Sequence, residues 1–570
     1  MEYFVGVDVG TKSVRAVLVS EDGQVVAESE APLVIFHPSP AAATLDQQQG
    51  PRRHEQSSEQ LWGAVCEAVA ELMHRSALPP TVVKAVGFDA TCSLVVLDRQ
   101  CGPLAVSVDI SEKAPSPEES RHGRHVPNII MWLDHRATAE AEFINSTQHP
   151  MLHVVGGAIS LEMELPKLLW LKRNCPETFH NAGHFLDLVD FLTYKATGSL
   201  VRSHCAVVCK WLYDANKRRW DRSLWLASDL AEFADDEKSR IGSVVQAAGK
   251  AVGEGLCALA AEQLGLAAHT AVATGLLDAH AGALAAYAAR VPLGLGLDDA
   301  PLSVEEQLVM ICGTSTCHMA QREAATFVPG VWGPYEGAIY ESYFLNEAGQ
   351  SVSGAMLTHV VQQFGSCTRE EAPRRERLLL RALHDKFVSS ASEELSFALA
   401  ELATGVDVWP DYHGNRSPLA NARTTGIVAG LSLETTLEKL YVAHVYALAL
   451  MTRFIVAGLE REARRPFRVV RMTGGLAENW LYVRAHADVL RLPVLLPDCR
   501  QAVALGAAML AAHCARTAAA GASLASSAAA LGQSSRLVAP SLSPRVIGLL
   551  EDKFRRFHQL GRIAQDFAQP

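Results

Sequence analysis

The first thirty residues consist of three mostly apolar runs separated by short polar turns. The runs are YFVGVDV at 3–9, VRAVLVS at 14–20 and QVVAESEAPL at 24–33. Gly-Thr-Lys-Ser separates the first two runs, and Asp-Gly separates the second from the third. Runs of this length with turn residues between them are typical of β-hairpins, so the sequence predicts three consecutive antiparallel strands.

A second strand-turn-strand pattern occupies residues 308–321 (LVMICGTSTCHMAQ), again with small hydroxyl residues after a glycine. This echo predicts two similarly built halves that each supply a hairpin. We place the boundary near residue 285. Residues 1–285 are then expected to form an amino-terminal lobe, 286–520 a carboxy-terminal lobe, and 521–570 a tail whose helix packs on the second lobe.

Other segments have the spacing of helices or of buried strands. Residues 58–76 repeat apolar positions at helical intervals, with Ser58 as the expected N-cap. VVKAVGFDA at 82–90 and FRVVRMT at 467–473 are expected as strands. Two apolar stretches, 441–459 and 502–530, each contain a histidine and an arginine. A membrane span needs about 18 apolar residues, so both stretches are expected to be core helices.

Composition narrows the class of protein. The chain has 570 residues, a net charge of -11 and 12 cysteines. Its length predicts several domains, and its negative charge argues against a nucleic-acid or anionic-membrane partner. The cysteines form no CxxC pair, and the amino terminus runs into a strand without a secretory signal. We therefore expect a cytoplasmic protein with free thiols.

The first hairpin turn has the residue types of an anion site. Gly10 lets the chain turn, and the amides and hydroxyls after it can face phosphate oxygens. Asp8, at the strand end, can hold Mg2+ through water. The order GVDVGTK differs from a Walker A loop. Taken alone, this turn is as compatible with a plain hairpin as with a phosphate site.

Two later motifs extend the same chemistry. The turn Cys312–Thr316 repeats the first hairpin, and together the two turns indicate phosphates held between two hairpins. MTGGLAEN at 472–479 is expected to run from a strand through paired glycines into a helix. Bare backbone at such a junction can accept a flat ring or its ribose. A simple strand-to-helix turn is the alternative.

Asp278 lies in GLLDAHAG, where a strand is expected to give way to a helix. A carboxylate at this position can be a helix cap. It can also accept the proton of a sugar hydroxyl, as the base does in phosphoryl transfer to an alcohol. The residue by itself leaves both interpretations open.

Taken together, these motifs resemble the FGGY carbohydrate kinase family over nearly the whole chain. The matching pieces also include WLDHRA (Trp132, Asp134, Arg136), EAGQSVSG and HGNRSPLANARTTG. The ribulokinase branch is the most similar, and Thr91–Val95 resembles the TCSLV signature of D-ribulose kinases. The resemblance implies an α/β fold of two ribonuclease-H-like (actin-like ATPase) lobes flanking a deep catalytic cleft, with ATP and Mg2+ as cofactors.

The resemblance also implies roles for individual residues. Asp278 is expected to be the catalytic base and, with Asp8, to contact Mg2+. The expected sugar contacts are Cys92, Lys210, Asp278 and Glu347. The expected phosphate and adenosine contacts are Thr11, Lys12, Gly313, Thr314, Ser315, Gly474, Gly475 and Asn479. A surface lysine is the alternative for Lys210, and Trp132 and Asp134 are expected to support the sugar pocket.

The implied reaction is ATP-dependent phosphorylation of a ketopentose, D-ribulose to D-ribulose 5-phosphate. One alternative is a kinase for L-ribulose, D-xylulose, ribitol, erythritol or glycerol. Another, from a different class, is a non-catalytic actin-like ATP-binding regulator. The expected partners are the sugar and ATP, and a homodimer is left open. Polar segments near 37–54, 111–125 and 292–306 depart from the compact bacterial pattern, and the sequence indicates no purpose for them.

Overall fold

The computed structural model describes residues 1–38, 53–107, 125–292, 302–387, 392–517 and 521–569. The polar segments near 37–54, 111–125 and 292–306 lie mostly outside these described residues. Contacts divide the chain into two units. Unit 1 comprises Met1–Ala288, Gly333–Leu345 and Gln501–Gly532, and unit 2 comprises Ala289–Trp332, Asn346–Arg500 and Gln533–Pro570.

Both units contain strands and helices. The strands are β1 (Tyr3–Val9), β2 (Ser13–Ser20), β3 (Val25–Pro32), β4 (Glu55–Gln56), β5 (Val83–Ala90), β6 (Leu94–Asp98), β7 (Ile129–Ile130), β8 (Ala182–Asp187), β9 (Arg202–Ser203), β10 (Val245–Gln246), β11 (Ala271–Val272), β12 (Leu276–Leu277), β13 (Gln307–Cys312), β14 (Thr316–Arg322), β15 (Trp332–Glu336), β16 (Phe344–Gln350), β17 (Asp407–Trp409), β18 (Ile427–Ala429), β19 (Val469–Thr473), β20 (Val494–Pro497) and β21 (Ser535–Val538).

Helices from both units pack against these strands. They are α1 (Ser58–Ser76), α2 (Thr138–Ser146), α3 (Glu164–Asn174), α4 (Pro176–Asn181), α5 (Leu188–Thr197), α6 (His204–Lys210), α7 (Arg222–Ala227), α8 (Ala231–Arg240), α9 (Ala258–Leu264), α10 (Asp278–Ala288), α11 (Gly354–Phe364), α12 (Ala372–Phe387), α13 (Ser392–Leu402), α14 (Leu437–Ala463), α15 (Trp480–Leu490), α16 (Ala502–Thr517), α17 (Leu524–Ala530) and α18 (Pro544–Phe567).

The main sheet of unit 1 has the strand order β11-β5-β1-β2-β3, with β12 also paired to β5. The pairs β1–β2 and β2–β3 are antiparallel, which confirms the three strands predicted at the amino terminus. β5 joins β1 in parallel. Helix α1 has the predicted bounds, but its N-cap is Ser57, whose extended backbone lets the side chain accept from Gln60 N.

The sheet of unit 2 repeats this arrangement. It contains β16, β14, β13, β19, β20 and β21 in that order. The pair β13–β14 is antiparallel and β19 joins β13 in parallel, as β5 joins β1. The predicted echo between the two hairpins is therefore present in the strand pairing. In each unit, a hairpin turn lies at the end of a central strand.

Helix α16 belongs to unit 1, although the sequence-based bounds assigned it to the carboxy-terminal lobe. It packs across β1 and β5 at two glycines. A Cβ at Gly6 would lie 2.0 Å from Ala504 O, and one at Gly87 would lie 2.0 Å from Ala507 O. Because only glycine leaves room for this approach, the helix backbone rests directly on the strands. By contacts, this helix therefore groups with unit 1, because the packing joins distant parts of the chain that no local pattern connects.

Helix α14 is the helix of the described chain that is long and apolar enough to cross a membrane. Of its most apolar 18-residue window, 78% is buried inside the protein. It lies in the main apolar core of unit 2. This burial is that of a core helix, and the absence of a membrane partner stays a prediction.

The terminal helix α18 packs on unit 2, as the sequence predicted. The Phe557 ring lies 4.6 Å from the Trp409 ring, centroid to centroid. Lys553 Nζ donates to Ala403 O at 2.9 Å and to Val406 O at 2.6 Å. These bonds place a buried ammonium on two carbonyls, so the helix is fixed by polar as well as apolar contacts.

Candidate active site

Asp8 and Asp89 lie side by side in unit 1. They are register partners on the parallel strands β1 and β5, and both are fully buried. Arg15 Nη2 lies 2.6 Å from Asp8 Oδ2. Neither oxygen of Asp89 receives a hydrogen bond from a donor in the described residues. The pair is therefore a buried acidic site in which Arg15 offsets the charge of Asp8.

Asp278 is the third carboxylate of this site. It begins α10 directly after β12, whose Leu276 is the register partner of Asp89. The side chain is half-buried, and Oδ1 accepts a hydrogen bond from Ala279 N at 2.7 Å. Asp278 thus bonds to its own helix start, and it also lies within electrostatic reach of Asp8 and Asp89. The bond from Ala279 N is the one expected of a carboxylate at a helix start, and the role of Asp278 as base stays a prediction.

Burial and neighbouring charges shift the ionisation of Asp8 and Asp89. Burial raises the pKa of Asp8 to about 6; the Arg15 charge lowers it, and the Asp278 charge raises it. Burial and the charges of Asp8 and Asp278 raise the pKa of Asp89 well above its usual range. Carboxylate oxygens are the ligands that Mg2+ prefers. A divalent cation would offset this repulsion, so the residues present fit the Mg2+ that the resemblance implies.

The first hairpin turn is fixed by side chains from outside it. Trp132 Nε1 donates to Thr11 Oγ1 at 3.0 Å, and Gln56 Nε2 donates to Thr11 O at 3.3 Å. Gly10 N closes the turn onto Ser13 O at 3.0 Å. The hydrogen bond of Trp132 therefore reaches the predicted phosphate turn rather than a predicted sugar contact. Lys12 is exposed beside it.

A buried ionic network holds the segments that carry Trp132 and Gln56. Arg136 bonds both oxygens of Asp134, at 2.8 and 2.7 Å, and Glu55 Oε1 at 2.7 Å. Asp134 Oδ2 also accepts from His54 N at 2.6 Å. Because each charge is paired, the network ties residues 54–56 to residues 132–136. Asp134 thus supports the predicted phosphate turn through its neighbours.

The predicted sugar contacts Cys92 and Lys210 are both buried in unit 1. The interpretation of Lys210 as a surface lysine is therefore wrong. Burial raises the pKa of the Cys92 thiol well above its usual value, while the charges of Lys210 and Lys167 lower it. Lys167 Nζ in turn lies 3.2 Å from Glu164 Oε2, and both side chains are fully buried. These residues form a polar cluster inside unit 1.

Glu347, the remaining predicted sugar contact, belongs to the other structural unit. It is a buried residue of β16 in unit 2, whereas Cys92, Lys210 and Asp278 belong to unit 1. Its role as the fourth sugar contact stays a prediction.

The second hairpin turn is built into unit 2 by the start of α11. Ser353 N donates to Thr314 O at 2.9 Å, and Gly354 N donates to Gly313 O at 3.1 Å. Gly313 N closes the turn onto Ser315 O at 2.8 Å. The Thr314 side chain is exposed. The turn is thereby held by its carbonyls, with the hydroxyl of Thr314 on the surface.

The paired glycines after β19 lie against this second turn. Gly474 has a φ of 95°, and a Cβ there would lie 2.4 Å from Cys312 O. Gly475 is exposed, with open space where a Cβ would be. Asn479 is the N-cap of α15: Oδ1 accepts from Leu481 N and Nδ2 donates to Tyr441 Oη, and its predicted contact with adenosine stays a prediction. The glycines offer bare backbone, whereas Asn479 fixes the helix behind them.

Sequence reasoning missed several residues of these groups, among them Asp89, Glu164 and Lys167. Asp89 could have been noticed as an acid near the end of an otherwise apolar strand, a position that disfavours aspartate. Glu164 and Lys167 form an i,i+3 pair inside an apolar helix, which signals a buried ion pair. Their convergence with Cys92 depends on contacts that no local pattern contains.

Family profiles match almost the whole chain. The profile of the FGGY family of carbohydrate kinases, N-terminal domain, matches residues 3–113 and 119–285, and that of its C-terminal domain matches residues 308–515. The chain therefore belongs to the FGGY family of carbohydrate kinases.

Individual relatives agree with this assignment. The chain is 43% identical to the FGGY carbohydrate kinase domain-containing protein of Danio rerio, over 89% of each. It is 31% identical to a D-ribulokinase of Saccharomyces cerevisiae, over 89% of this chain and 71% of the relative. The solved xylulose kinase of Rhodospirillum rubrum superposes with a TM-score of 0.74 at 19% identity, over 100% of each chain. The fold is thus the predicted α/β fold with two ribonuclease-H-like, actin-like lobes.

Trp132→Phe removes one hydrogen-bond donor from the first turn while keeping an aromatic ring. A hydrogen bond contributes about 0.5–1.5 kcal/mol, so we expect the KM for ATP to rise about 2- to 10-fold in steady-state assays. Trp62→Phe is the matched control, because Trp62 Nε1 donates to Gln263 Oε1 at 2.8 Å in the same unit. An equal rise in both variants would contradict a specific role for Trp132.

Asp89→Asn tests the electrostatics of the acid pair. A raised pKa in the folded protein means that stability is fully present below the unfolded pKa of about 4 and is lost as the pH rises. Without divalent cations, Asp89→Asn should therefore unfold at a higher temperature than wild type at pH 8, and the difference should shrink towards pH 4.5. The exposed Glu28→Gln is the control. A difference that grows as the pH falls would refute the argument.

Proposed function

We propose that this protein transfers the γ-phosphoryl group of ATP to the terminal C5 hydroxyl of D-ribulose, giving D-ribulose 5-phosphate and ADP. The observation that carries the proposal is the position of Asp278 at the start of α10, within electrostatic reach of Asp8 and Asp89. A half-buried carboxylate beside an acidic cation site is suited to accept the proton of an alcohol.

The choice of D-ribulose rests on two supports. One is the 31% identity to the yeast D-ribulokinase. The other is the surroundings of Cys92, the cysteine of the TCSLV string, where buried Lys210 and the Glu164–Lys167 pair offer donors and acceptors to a polar sugar. A site built from buried polar groups rejects a substrate that leaves them unpaired. Unit 1 is thus the proposed sugar-binding lobe, with Glu347 of unit 2 as a further contact.

Unit 2 is the proposed nucleotide-binding lobe. Its turn of Gly313, Thr314 and Ser315 would face phosphate oxygens, as would Thr11 and Lys12 of unit 1. The bare backbone of Gly474 and Gly475 would accept the adenosine, while Asn479 positions α15 behind them. Backbone amides and hydroxyls at a tight turn suit phosphate because they present several donors to one anion.

In the reaction, the C5 oxygen forms a bond to the γ-phosphorus as the bond from that phosphorus to the β,γ-bridging oxygen breaks. Asp278 accepts the hydroxyl proton late in this step. Asp8 and Asp278, with Asp89 beside them, would hold Mg2+, which supplies charge neutralisation at the phosphates when bound. The hydrogen bonds from Trp132 and Gln56 keep the Thr11 turn in place.

The proposal includes a cytoplasmic location. No disulfide joins the twelve cysteines, all of which lie in the described residues, and this suits a reducing compartment. Sugar and ATP are the proposed small-molecule partners.

Asp278→Asn should remove the base while keeping the shape of the side chain. General-base assistance contributes about 100- to 10,000-fold, so we expect kcat to fall at least 100-fold with the affinity for ATP nearly unchanged. Glu438→Gln is the control, because Glu438 is an exposed acid in the first turn of α14. Near-wild-type turnover by Asp278→Asn would remove Asp278 from the role of base.

The substrate assignment predicts the order of specificity constants. In a coupled kinase assay, D-ribulose should give the highest kcat/KM among D-ribulose, L-ribulose, D-xylulose, ribitol, erythritol and glycerol. A tenfold preference for another of these acceptors would overturn D-ribulose and leave a kinase. Failure of every sugar to stimulate ADP release would favour the non-catalytic, actin-like regulator.

A further inference from the structure

Two cysteines and a histidine converge in the interior of unit 1, outside the groups described above. Cys205 and Cys209 lie on α6, and His280 lies on α10. Each offers one ligand atom, and the three atoms all lie within 4.8 Å of one another. Within the described ranges, this is the one such group of three among the histidine, cysteine and acidic side chains. All three residues are at most 1% exposed.

The arrangement has the dimensions of a metal site. Cys205 and Cys209 are four residues apart on a helix, so their side chains share one face. Cys209 Sγ lies 3.7 Å from His280 Nε2. A zinc ion about 2.3 Å from sulfur and about 2.0 Å from nitrogen keeps its tetrahedral ligands roughly 3.6 Å apart. The Cys209–His280 distance therefore matches without movement, and Cys205 needs at most about 1 Å of side-chain adjustment to join them.

The simpler interpretation is a thiol–imidazole hydrogen bond in the core. That bond accounts for Cys209 and His280. It does not account for the second thiol, which lies within reach of both atoms. Three soft or borderline donors at one point are the ligand types that thiophilic cations select.

We propose that Cys205, Cys209 and His280 bind one soft, closed-shell cation, zinc or cuprous ion. On binding, each thiol forms a sulfur–metal bond and releases its proton to solvent, while the neutral imidazole donates a nitrogen lone pair. Two thiolates neutralise Zn2+, which suits a fully buried site. The three-donor set also suits Cu+, which thiolates select.

The site would join two helices of unit 1 that carry proposed substrate contacts. Lys210 follows Cys209 directly at the end of α6, and Asp278 begins α10 two residues before His280. A bound cation therefore fixes the spacing of these two helices from inside the unit. The binding itself does not rest on the proposed kinase reaction, since the measurements below use neither sugar nor ATP.

The test is metal binding by the purified full-length chain after removal of bound metal with chelators. Zn2+ and, under anaerobic reducing conditions, Cu+ are added in separate experiments, each in competition with a soluble chelator. We expect about one equivalent of one of these cations to be retained, with a rise in the unfolding temperature. Cys205→Ala and Cys209→Ala should each weaken binding at least tenfold. Cys514→Ala, which alters another buried cysteine of unit 1, should leave it unchanged.

Wild-type protein gives a measurement that does not depend on the folding of variants. The X-ray absorption spectrum of the loaded protein should show two sulfur ligands and one imidazole nitrogen. A shell of nitrogen and oxygen alone, retention of neither cation against the chelator, or equal loss of binding in Cys514→Ala would overturn the site.

Discussion

Two carboxyl groups at the same level of adjacent parallel strands repel each other, and burial strengthens that repulsion because little solvent screens it. Asp8 and Asp89 are in this position on β1 and β5, with Arg15 paired to Asp8. The strands that impose this proximity also direct the neighbouring groups. The first turn follows β1 directly, and Asp278 begins the helix after β12, which pairs with β5. The proposed cation site, the predicted phosphate turn and the proposed base thereby share one sheet.

Residues outside the first hairpin turn hold its backbone in place. Glycine has no Cβ and can adopt many backbone conformations, so contacts from other residues must fix the conformation of a glycine-bearing turn. In unit 1 this is done by Trp132 and Gln56, which are held in turn by the network centred on Arg136. In unit 2 the amides at the start of α11 do the same for the turn at Gly313. Equivalent strand pairing thus carries differently supported turns.

Elements that are specified by neighbouring residues could be predicted from the sequence alone. The two hairpins, the strand into Asp278 and helix α1 follow from residue spacing and turn chemistry, and the family motifs predict functional residues at the ends of these elements. What could not be predicted depends on distant segments meeting. Helix α16 reaches β1 only because Gly6 and Gly87 have no side chains, and Asp89 is significant only once strand register puts it beside Asp8.

A crystal structure with D-ribulose and a non-hydrolysable ATP analogue tests the account most directly. If Asp278 is the base, one of its carboxylate oxygens should lie about 2.6–3.2 Å from the C5 hydroxyl of the bound sugar, or be joined to it through one water. The γ-phosphate should lie on the opposite side of that hydroxyl from the carbon chain. A carboxylate that bonds only to its own helix, with another group at the hydroxyl, would contradict the account.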